Sequence, residues 1–286
     1  MLVGMRITFF GTTTLLADDG RDQLFFDCHV TRPSLKTLLF GKLITDEVTA
    51  RRLVKDCDIH RLRGIFVSHT HHDHVMDAPY FARQCHAAVY GSSSALMVAR
   101  GGGVTEDALH DYAEKADYGI GDYQITVLPS LHSKPFWFNN DLGQTIDAPL
   151  YQPAKKRAYK EGGSFDFLVR HNDTTLLIRP SYNYLPGALA GIHADTLFLG
   201  ITGLSNDSKA DRERFFAETI DRVRPSLVVP LHWDWFFSPL SAPVRGMPPA
   251  IENTKQSLTL LSDACRERGI RFRLLLPLHT IEICYR

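Results

Sequence analysis

Residues 68–77 read SHTHHDHVMD, and a compact apolar run, GIFVS at residues 64–68, leads into them. Four histidines and two aspartates fall within this stretch, whereas the whole chain of 286 residues has only 13 histidines. An apolar run of this kind predicts a buried parallel strand, so the histidines would follow directly on the end of a strand. Imidazole and carboxylate groups are the ligands that zinc and similar divalent metals prefer. The stretch therefore predicts a metal site beyond the end of a strand.

The spacing within the stretch provides ligands for two positions rather than one. In an extended chain past a strand, His69 and His71 project to the same side, whereas Asp73 and His74 come after a turn and can face a second position. A single histidine is more often a hydrogen-bonded core or surface residue. Four histidines in six positions with an interleaved aspartate favour metal binding, and the absence of His-Glu-x-x-His spacing excludes a zincin helix.

Two distant histidines occupy the same kind of place. His132 ends the strand-like run YQITVLPSLH, and His232 ends the run SLVVPLH. Open α/β-type sheets gather functional residues at the ends of several strands along one edge. We expect these two histidines to complete the metal site.

Composition limits the class of protein. With 32 basic and 32 acidic residues the net charge is zero, which gives no general attraction to nucleic acid or anionic membranes. We interpret the first 20 residues as a strand and a turn rather than a signal peptide, and no apolar run reaches membrane-spanning length. Five scattered cysteines are typical of reduced thiols. We expect a cytoplasmic protein with a small-molecule substrate, no nucleic-acid partner and no membrane insertion, and the sequence does not determine the oligomeric state.

The order of predicted elements indicates the architecture. Each half of the chain runs through strands and then helices, which predicts two β-sheets packed face to face with helices outside, in one domain over residues 1–286. Residues 133–163 show no clear period, and a long irregular segment in a compact domain is usually functional or disordered. We interpret this segment as a candidate lid. Its aromatic residues, Phe136, Trp137, Phe138, Tyr151 and Tyr159, favour an ordered segment.

HTHHDH at residues 69–74 resembles the His-x-His-x-Asp-His motif of the metallo-β-lactamase superfamily, and the resemblance extends along nearly the whole chain. His132 and His232 fall where that fold supplies its next and last histidines. Within the superfamily the chain is most similar to the group of the ascorbate-phosphate lactonases and uncharacterised bacterial metallohydrolases, through RPSLKTLLFGK, YKEGGSFDFLV, LPGALAG and LHWDWFFSPL. The resemblance implies an α/β fold, an αββα sandwich of two mixed sheets, with metals at one edge.

The resemblance also implies a ligand set and a metal. His69, His71 and His132 would bind a first metal, and Asp73, His74 and His232 would bind a second. His72 occupies a variable position of the motif, where it would lie behind the ligands or be exposed. Zinc is the default for these ligands, one or two ions per chain, although manganese and iron are chemically compatible.

One position departs from the family pattern. Members with two metals usually have a bridging aspartate at the end of a strand that corresponds to TLLIRPSYNY here. The equivalent residue is Ser181 or a neighbour within residues 179–183, and none of these residues is a carboxylate. Two dications about 4 Å apart repel by roughly 16 kcal/mol at an effective dielectric of about 20. The second metal would therefore bind more weakly, or an unusual ligand would help. Asp234 fits such a ligand as well as it fits a partner that orients a histidine.

These residues predict a hydrolase in which a metal-bound hydroxide attacks the substrate and Asp73 orients that hydroxide or takes its proton. Lys155, Lys156 and Lys160 in the candidate lid suit an anionic substrate group, or form a solvated basic loop. Tyr182 and Trp233 either wall a pocket or pack in the core.

The predicted substrate is a small anionic ester or lactone. The alternative is a phosphodiesterase acting on a nucleotide or a phospholipid headgroup. A non-catalytic metal-binding or sensing protein is a third possibility, favoured only by the missing bridging carboxylate.

Overall fold

Two mixed β-sheets of seven strands each form the centre of the molecule, in a computed structural model that describes residues 4–135 and 140–283. The first sheet consists of β1 (Met5–Gly11), β2 (Thr14–Asp18), β3 (Gln23–Phe26), β4 (Leu62–Phe66), β5 (Ala88–Gly91), β6 (Leu109–Asp111) and β14 (His279–Ile283). Its order is β14-β1-β2-β3-β4-β5-β6. The strands from β14 to β3 pair antiparallel, and those from β3 to β6 pair parallel.

The second sheet repeats this division into an antiparallel and a parallel half. It consists of β7 (Asp117–Ile120), β8 (Tyr123–Ser130), β9 (Ser164–His171), β10 (Thr174–Arg179), β11 (Thr196–Gly200), β12 (Leu227–Leu231) and β13 (Arg271–Phe272). Its order is β13-β12-β11-β10-β9-β8-β7, antiparallel from β7 to β10 and parallel from β10 to β13. The repeat agrees with the two β-then-α halves predicted from the sequence.

The helices connect the parallel strands. They are α1 (Leu35–Phe40), α2 (Glu47–Asp56), α3 (His72–Val75), α4 (Ala78–Cys85), α5 (Ser93–Gly101), α6 (Lys209–Glu218), α7 (Ile220–Val223) and α8 (Thr254–Glu267). Asp46 caps α2 by accepting from the backbone N–H groups of Val48 and Thr49. No helix among the described residues is both long and apolar enough to cross a membrane.

The side chains of β3 point alternately to the two faces of the first sheet, towards the second sheet on one side and towards the helices on the other. Phe26 lies 5.4 Å from Phe167 of the second sheet, measured between ring centroids, so it packs in the interior between the sheets. Its neighbour Phe25 points to the other face, where its ring lies 5.3 Å from that of Phe81 in α4. Successive side chains of a strand project to opposite faces, so one short apolar strand supplies both cores. The predicted αββα sandwich is confirmed.

The predicted ligands follow the ends of three of these strands. β4 ends two residues before Ser68, β8 ends at Ser130, and β12 ends at Leu231. β4 belongs to the first sheet and β8 and β12 to the second, so both sheets contribute to one edge of the sandwich.

Candidate metal centre

The first cluster contains the three histidines expected to bind the first metal. One ring nitrogen from each of His69, His71 and His132 lies within 4.8 Å of the others. Nδ1 of His71 and Nε2 of His132 are 3.1 Å apart. Two nitrogens bound tetrahedrally to one zinc would be separated by roughly 3.4 Å, so this spacing fits a shared ion.

Hydrogen bonds leave one nitrogen of each imidazole directed into this cluster. Nδ1 of His132 donates to the carbonyl of Ser133 at 2.9 Å, which leaves Nε2 for a ligand. Nε2 of His71 contacts Oδ1 of Asp141 at 3.0 Å, which leaves Nδ1. Nε2 of His69 is buried without a hydrogen-bond partner among the described residues. A buried polar atom without a partner costs free energy, so this nitrogen fits coordination to a metal.

The second cluster contains Asp73, His74 and His232, whose ligand atoms also lie within 4.8 Å of one another. Oδ2 of Asp73 is 3.7 Å from Nε2 of His74 and 3.4 Å from Nε2 of His232. Nδ1 of His74 donates to Oδ2 of Asp27 at 2.7 Å, which again leaves Nε2 free for a ligand. The two clusters are the two groups predicted from the sequence.

The chain path explains why one short stretch serves both clusters. The segment from Ser68 to His71 has no helical turn, and α3 begins immediately afterwards at His72. The helical turn carries Asp73 and His74 around to the second cluster. His72 is only 3% exposed, and its Nδ1 lies 3.5 Å from Oδ1 of Asp73. It therefore lies behind a ligand rather than in solvent.

Burial and neighbouring charges hold three of these residues, His69, His132 and Asp73, in the protonation states that metals require. Burial and the neighbouring imidazoles lower the pKa of His132 to about 3, and they hold the pKa of His69 well below its usual value. Burial alone would raise the pKa of Asp73, but His74 and His72 outweigh it and bring that pKa well below the usual value. Neutral imidazoles and an ionised carboxylate are the forms that bind divalent metals.

Asp27 is a site residue that the sequence reasoning missed. Its Oδ1 accepts from the backbone N–H of Ser68 at 2.7 Å, and its Oδ2 accepts from the hydroxyl of Thr13 at 2.6 Å as well as from His74. It directly follows β3, so the rule about strand ends that pointed to His132 and His232 would also have found it.

The described part of the candidate lid, residues 133–135 and 140–163, contacts the histidine-rich stretch and the segment around Leu43. The backbone N–H of Thr70 donates to the carbonyl of Glu161 at 2.9 Å, and Leu43 and Ala154 form a β-bridge. Tyr159 is buried, whereas Tyr151 is 70% exposed. Phe136, Trp137 and Phe138 lie outside the described residues. Asp141 of this segment contacts His71, a role that no sequence pattern signalled.

The metal-ligand clusters among the described residues do not include Asp234, whose two carboxylate oxygens contact other groups. Its Oδ1 accepts from the backbone N–H of Thr12 at 2.7 Å, and its Oδ2 pairs with Nη1 of Arg32 at 3.0 Å. The carbonyl of Thr12 in turn accepts from the backbone N–H of His232 at 2.6 Å. Oδ1 of Asp234 therefore supports, through Thr12, the backbone that carries His232, and Oδ2 is occupied by Arg32. Ser181 is buried, and the metal-ligand clusters among the described residues do not include it.

The predicted substrate residues divide into two groups. Lys156 acts electrostatically on His72, and Lys160 on Asp141, so both charges reach the clusters, whereas Lys155 is exposed. Trp233 instead packs in the core and lines a cavity of about 510 Å³ with residues of α8, because its backbone continues past His232 towards that helix. Tyr182 also packs in the core, and its hydroxyl donates to Oδ2 of Asp207 at 3.0 Å.

Comparison with known proteins agrees with this geometry. The family model described as the metallo-β-lactamase superfamily matches residues 46–149, which include the histidine-rich stretch and His132. This part of the chain is therefore similar to the metallo-β-lactamase superfamily.

Individual relatives extend the likeness over most of the chain. A protein of Opitutus terrae described as a UPF0173 metal-dependent hydrolase is 26% identical over 232 residues, or 80% of this chain and 85% of that protein. The structure of Igni18, a metallo hydrolase from Ignicoccus hospitalis, superposes with a TM-score of 0.64 at 15% identity and covers 99% of both chains. CmlA, a diiron β-hydroxylase from Streptomyces venezuelae, gives a TM-score of 0.61 at 15% identity over 98% of this chain and 54% of that chain. At these identities the two solved structures show that the superfamily fold is shared, and the narrower likeness to ascorbate-phosphate lactonases stays a prediction.

Proposed function

We propose that this protein is a metal-dependent hydrolase that cleaves a small anionic ester or lactone at the two clusters. The observation that carries the proposal is the convergence of the His69, His71 and His132 cluster and the Asp73, His74 and His232 cluster at one edge of the sandwich. The description of the Opitutus terrae relative as a metal-dependent hydrolase supports the same reaction class.

The ligand set fits divalent metals. Five imidazoles and one carboxylate suit zinc, and they also accommodate manganese or iron. A divalent metal bound here supplies Lewis acidity, which lowers the pKa of water towards neutrality and polarises a carbonyl group. We propose zinc as the ion, with one or two per chain.

Asp73 acts as a ligand more than as a proton acceptor. The neighbouring histidines overcome the effect of burial and depress its pKa, and a carboxylate with a depressed pKa is a weak general base. Its Oδ2 faces both His74 and His232, whereas its Oδ1 faces His72. Asp73 thus orients the nucleophilic water by its position at the second cluster, which narrows the role predicted from the sequence.

The charge around the clusters supports an anionic substrate. Lys156 perturbs His72 of the histidine-rich stretch, and Lys160 perturbs Asp141 behind His71, so two cations lie on the side formed by residues 133–163. Nζ of Lys160 donates to Oε1 of Gln144 at 2.7 Å, which holds the ammonium group close to its own segment. Two cations beside a metal centre attract a carboxylate or phosphate group of a substrate.

Metal analysis and a substrate panel test the proposal. Protein purified without added metal should contain at least one zinc, manganese or iron ion per chain, and should turn over carboxylic esters or lactones in a panel that also contains phosphomonoesters and bis-aryl phosphodiesters. His71→Ala and His132→Ala should abolish turnover and lower the metal content. His60→Ala, at an exposed histidine remote from the ligand clusters, should change neither. Full turnover in His71→Ala would show that the site is assigned wrongly.

A phosphodiesterase is the second candidate, and the paired clusters are the observation that favours it. Two metals close together can stabilise both the attacking and the leaving oxygen of an in-line displacement at phosphorus. Turnover of only the bis-aryl phosphodiesters in the same panel would select this activity over ester or lactone hydrolysis.

A cytoplasmic location is part of the proposal. Cys28, Cys57, Cys85 and Cys265 are free thiols, and burial raises the pKa of Cys85 to about 11, so its reactive thiolate form is suppressed. Reduced cysteines are usual in the cytoplasm. Recovery of the protein in the cytoplasmic fraction of its source cells checks this proposal, and recovery in an oxidising compartment with paired cysteines would refute it.

A further inference from the structure

Asp141 differs from the other residues behind the metal ligands because it comes from residues 133–163 rather than from a strand end. Its Oδ1 lies 3.0 Å from Nε2 of His71, and the two side chains are 17% and 5% exposed. A neutral imidazole carries one N–H, and a carboxylate accepts it, so Nε2 of His71 is the donor and Nδ1 keeps its lone pair. That lone pair faces Nε2 of His132 across 3.1 Å.

The two clusters differ in whether a carboxylate is itself a member of the cluster or is only hydrogen-bonded to a member. The second cluster contains Asp73 as a member, and Asp27 accepts from His74 behind it. The first cluster consists of three imidazoles, which are neutral ligands. Asp141 is the carboxylate hydrogen-bonded to a ligand of this cluster. A nearby negative charge stabilises a dication that is held by neutral ligands, because the attraction between the two charges is only partly screened at a buried site.

Contacts at both ends of its loop fix Asp141 relative to the histidine-rich stretch. The carbonyl of Asp141 accepts from the backbone N–H of Gln144 at 3.0 Å, which closes a turn. Oε2 of Glu161 accepts from the backbone N–H of Gly143 at 2.9 Å. The carbonyl of Glu161 accepts from the backbone N–H of Thr70, the residue between His69 and His71, at 2.9 Å. The carboxylate of Asp141 and the imidazole of His71 are thus anchored to each other through the backbone as well.

We propose that Asp141 is a positioning residue of the first metal site, and that its negative charge makes that site bind a divalent metal tightly despite its three neutral ligands. The segment predicted to be a lid therefore contributes to metal binding. The inference rests on the proposed metal centre, and it concerns metal affinity rather than the identity of the substrate. Removing a carboxylate that supports a metal-bound histidine typically costs about 10- to 100-fold in metal affinity.

Cobalt titration of the metal-free protein, without any substrate, tests the proposal. Co²⁺ affinity is measured by competition with a chelator, and the visible d–d bands of the bound ion report its ligand geometry. Asp141→Asn keeps the size of the side chain and a carbonyl oxygen that can accept from His71, but it removes the charge. Asp141→Glu restores the charge. Asp147→Asn is the matched control, because Asp147 is an exposed carboxylate of the same segment whose Oδ1 accepts from Thr145. His132→Ala identifies which step of the titration belongs to the first site.

We expect Asp141→Asn to weaken the step that His132→Ala removes by about 10-fold or more and to alter its d–d bands. Asp141→Glu should recover part of that loss, and Asp147→Asn should match the unmodified protein. Unchanged affinity and bands in Asp141→Asn, with circular dichroism showing a folded protein, would overturn the inference. The proposed metal centre itself fails only if the unmodified protein takes up no cobalt, so the two failures are distinguishable.

Discussion

Oδ2 of Asp27 accepts a hydrogen bond from Nδ1 of His74 at 2.7 Å, and the two side chains are only 1% and 2% exposed. The same carboxylate accepts from Thr13 in the turn between β1 and β2 and from Ser68 after β4. One buried side chain therefore joins three segments of the first sheet to His74, a predicted metal ligand. This arrangement makes the folding of that sheet edge and the orientation of His74 depend on the same group.

Asp27→Ala should destabilise the metal-free protein and weaken metal binding together. The substitution leaves buried donors of Thr13, Ser68 and His74 without their acceptor, and each such donor costs about 1–3 kcal/mol. We expect the free energy of unfolding in urea, measured with a chelator present, to fall by about 3 kcal/mol or more. Asp107→Asn, at an exposed carboxylate, is the control and should change neither stability nor metal content. A loss within about 0.5 kcal/mol in Asp27→Ala would contradict the organising role of this residue.

The three lysines of residues 133–163 should differ in their effect on catalysis. Lys156→Ala and Lys160→Ala should each raise KM for an anionic substrate by about fivefold at low ionic strength, which corresponds to about 1 kcal/mol of lost attraction. Lys155→Ala is the matched control from the same segment and should leave KM nearly unchanged, because that side chain is exposed. The differences should shrink in 0.5 M salt, since salt screens such charges. Equal KM values for all three variants would indicate that these lysines form a solvated basic loop and do not attract the substrate.

The members of the two clusters could be predicted from the sequence because each one is marked by the residues next to it in the chain. His69, His71, Asp73 and His74 share one stretch, and His132 and His232 each follow an apolar strand, so strand periodicity and ligand chemistry suffice to bring them together. Asp141 could not be predicted in this way, since its contact with His71 depends on the path of an irregular segment 70 residues away. Trp233 illustrates the opposite case: proximity in sequence to His232 suggested the pocket, but the chain direction after β12 places the indole against α8.

Low pH should destabilise the metal-free protein through its buried histidines. Burial lowers the pKa of His72 to about 4 and of His132 to about 3, and it keeps those of His29 and His69 well below the usual value. Unfolded histidines titrate near pH 6.5, so between that pH and the folded pKa the unfolded chain binds more protons. Stability is therefore complete above about pH 6.5 and is lost as the pH falls, by about 2 kcal/mol for each such imidazole at pH 5.

Urea unfolding with a chelator at pH 7.5, 6.0 and 5.0 measures this loss. His72→Gln should reduce the difference between pH 7.5 and pH 5.0 by about 2 kcal/mol, because one buried imidazole no longer titrates. His60→Gln should leave the difference unchanged, because His60 is largely exposed. If the stability of the unmodified protein did not change over this range, these imidazoles would not be held neutral by the fold.

The buried ion pair between Arg32 and Asp234 should be essential for both stability and the second metal site. Nη1 of Arg32 lies 3.0 Å from Oδ2 of Asp234, and each side chain is 3% exposed. Arg32→Met removes the charge at similar volume and leaves a buried carboxylate without its cation, which costs about 3–5 kcal/mol. Because Asp234 also holds Thr12, whose carbonyl accepts from the backbone of His232, the variant should bind the second Co²⁺ ion more weakly.

The matched control is Arg214→Met, since Arg214 pairs with Asp211 at the surface with side chains 65% and 36% exposed. Exposed pairs contribute about 0–1 kcal/mol, so this variant should be nearly as stable as the unmodified protein. Replacing both buried partners, in Arg32→Met with Asp234→Leu, should recover part of the stability because no charge is left buried alone. The recovered protein should still bind the second ion weakly, since Leu cannot accept the hydrogen bond of Thr12. Normal binding of that ion in the double variant would show that Asp234 stabilises the fold without positioning His232.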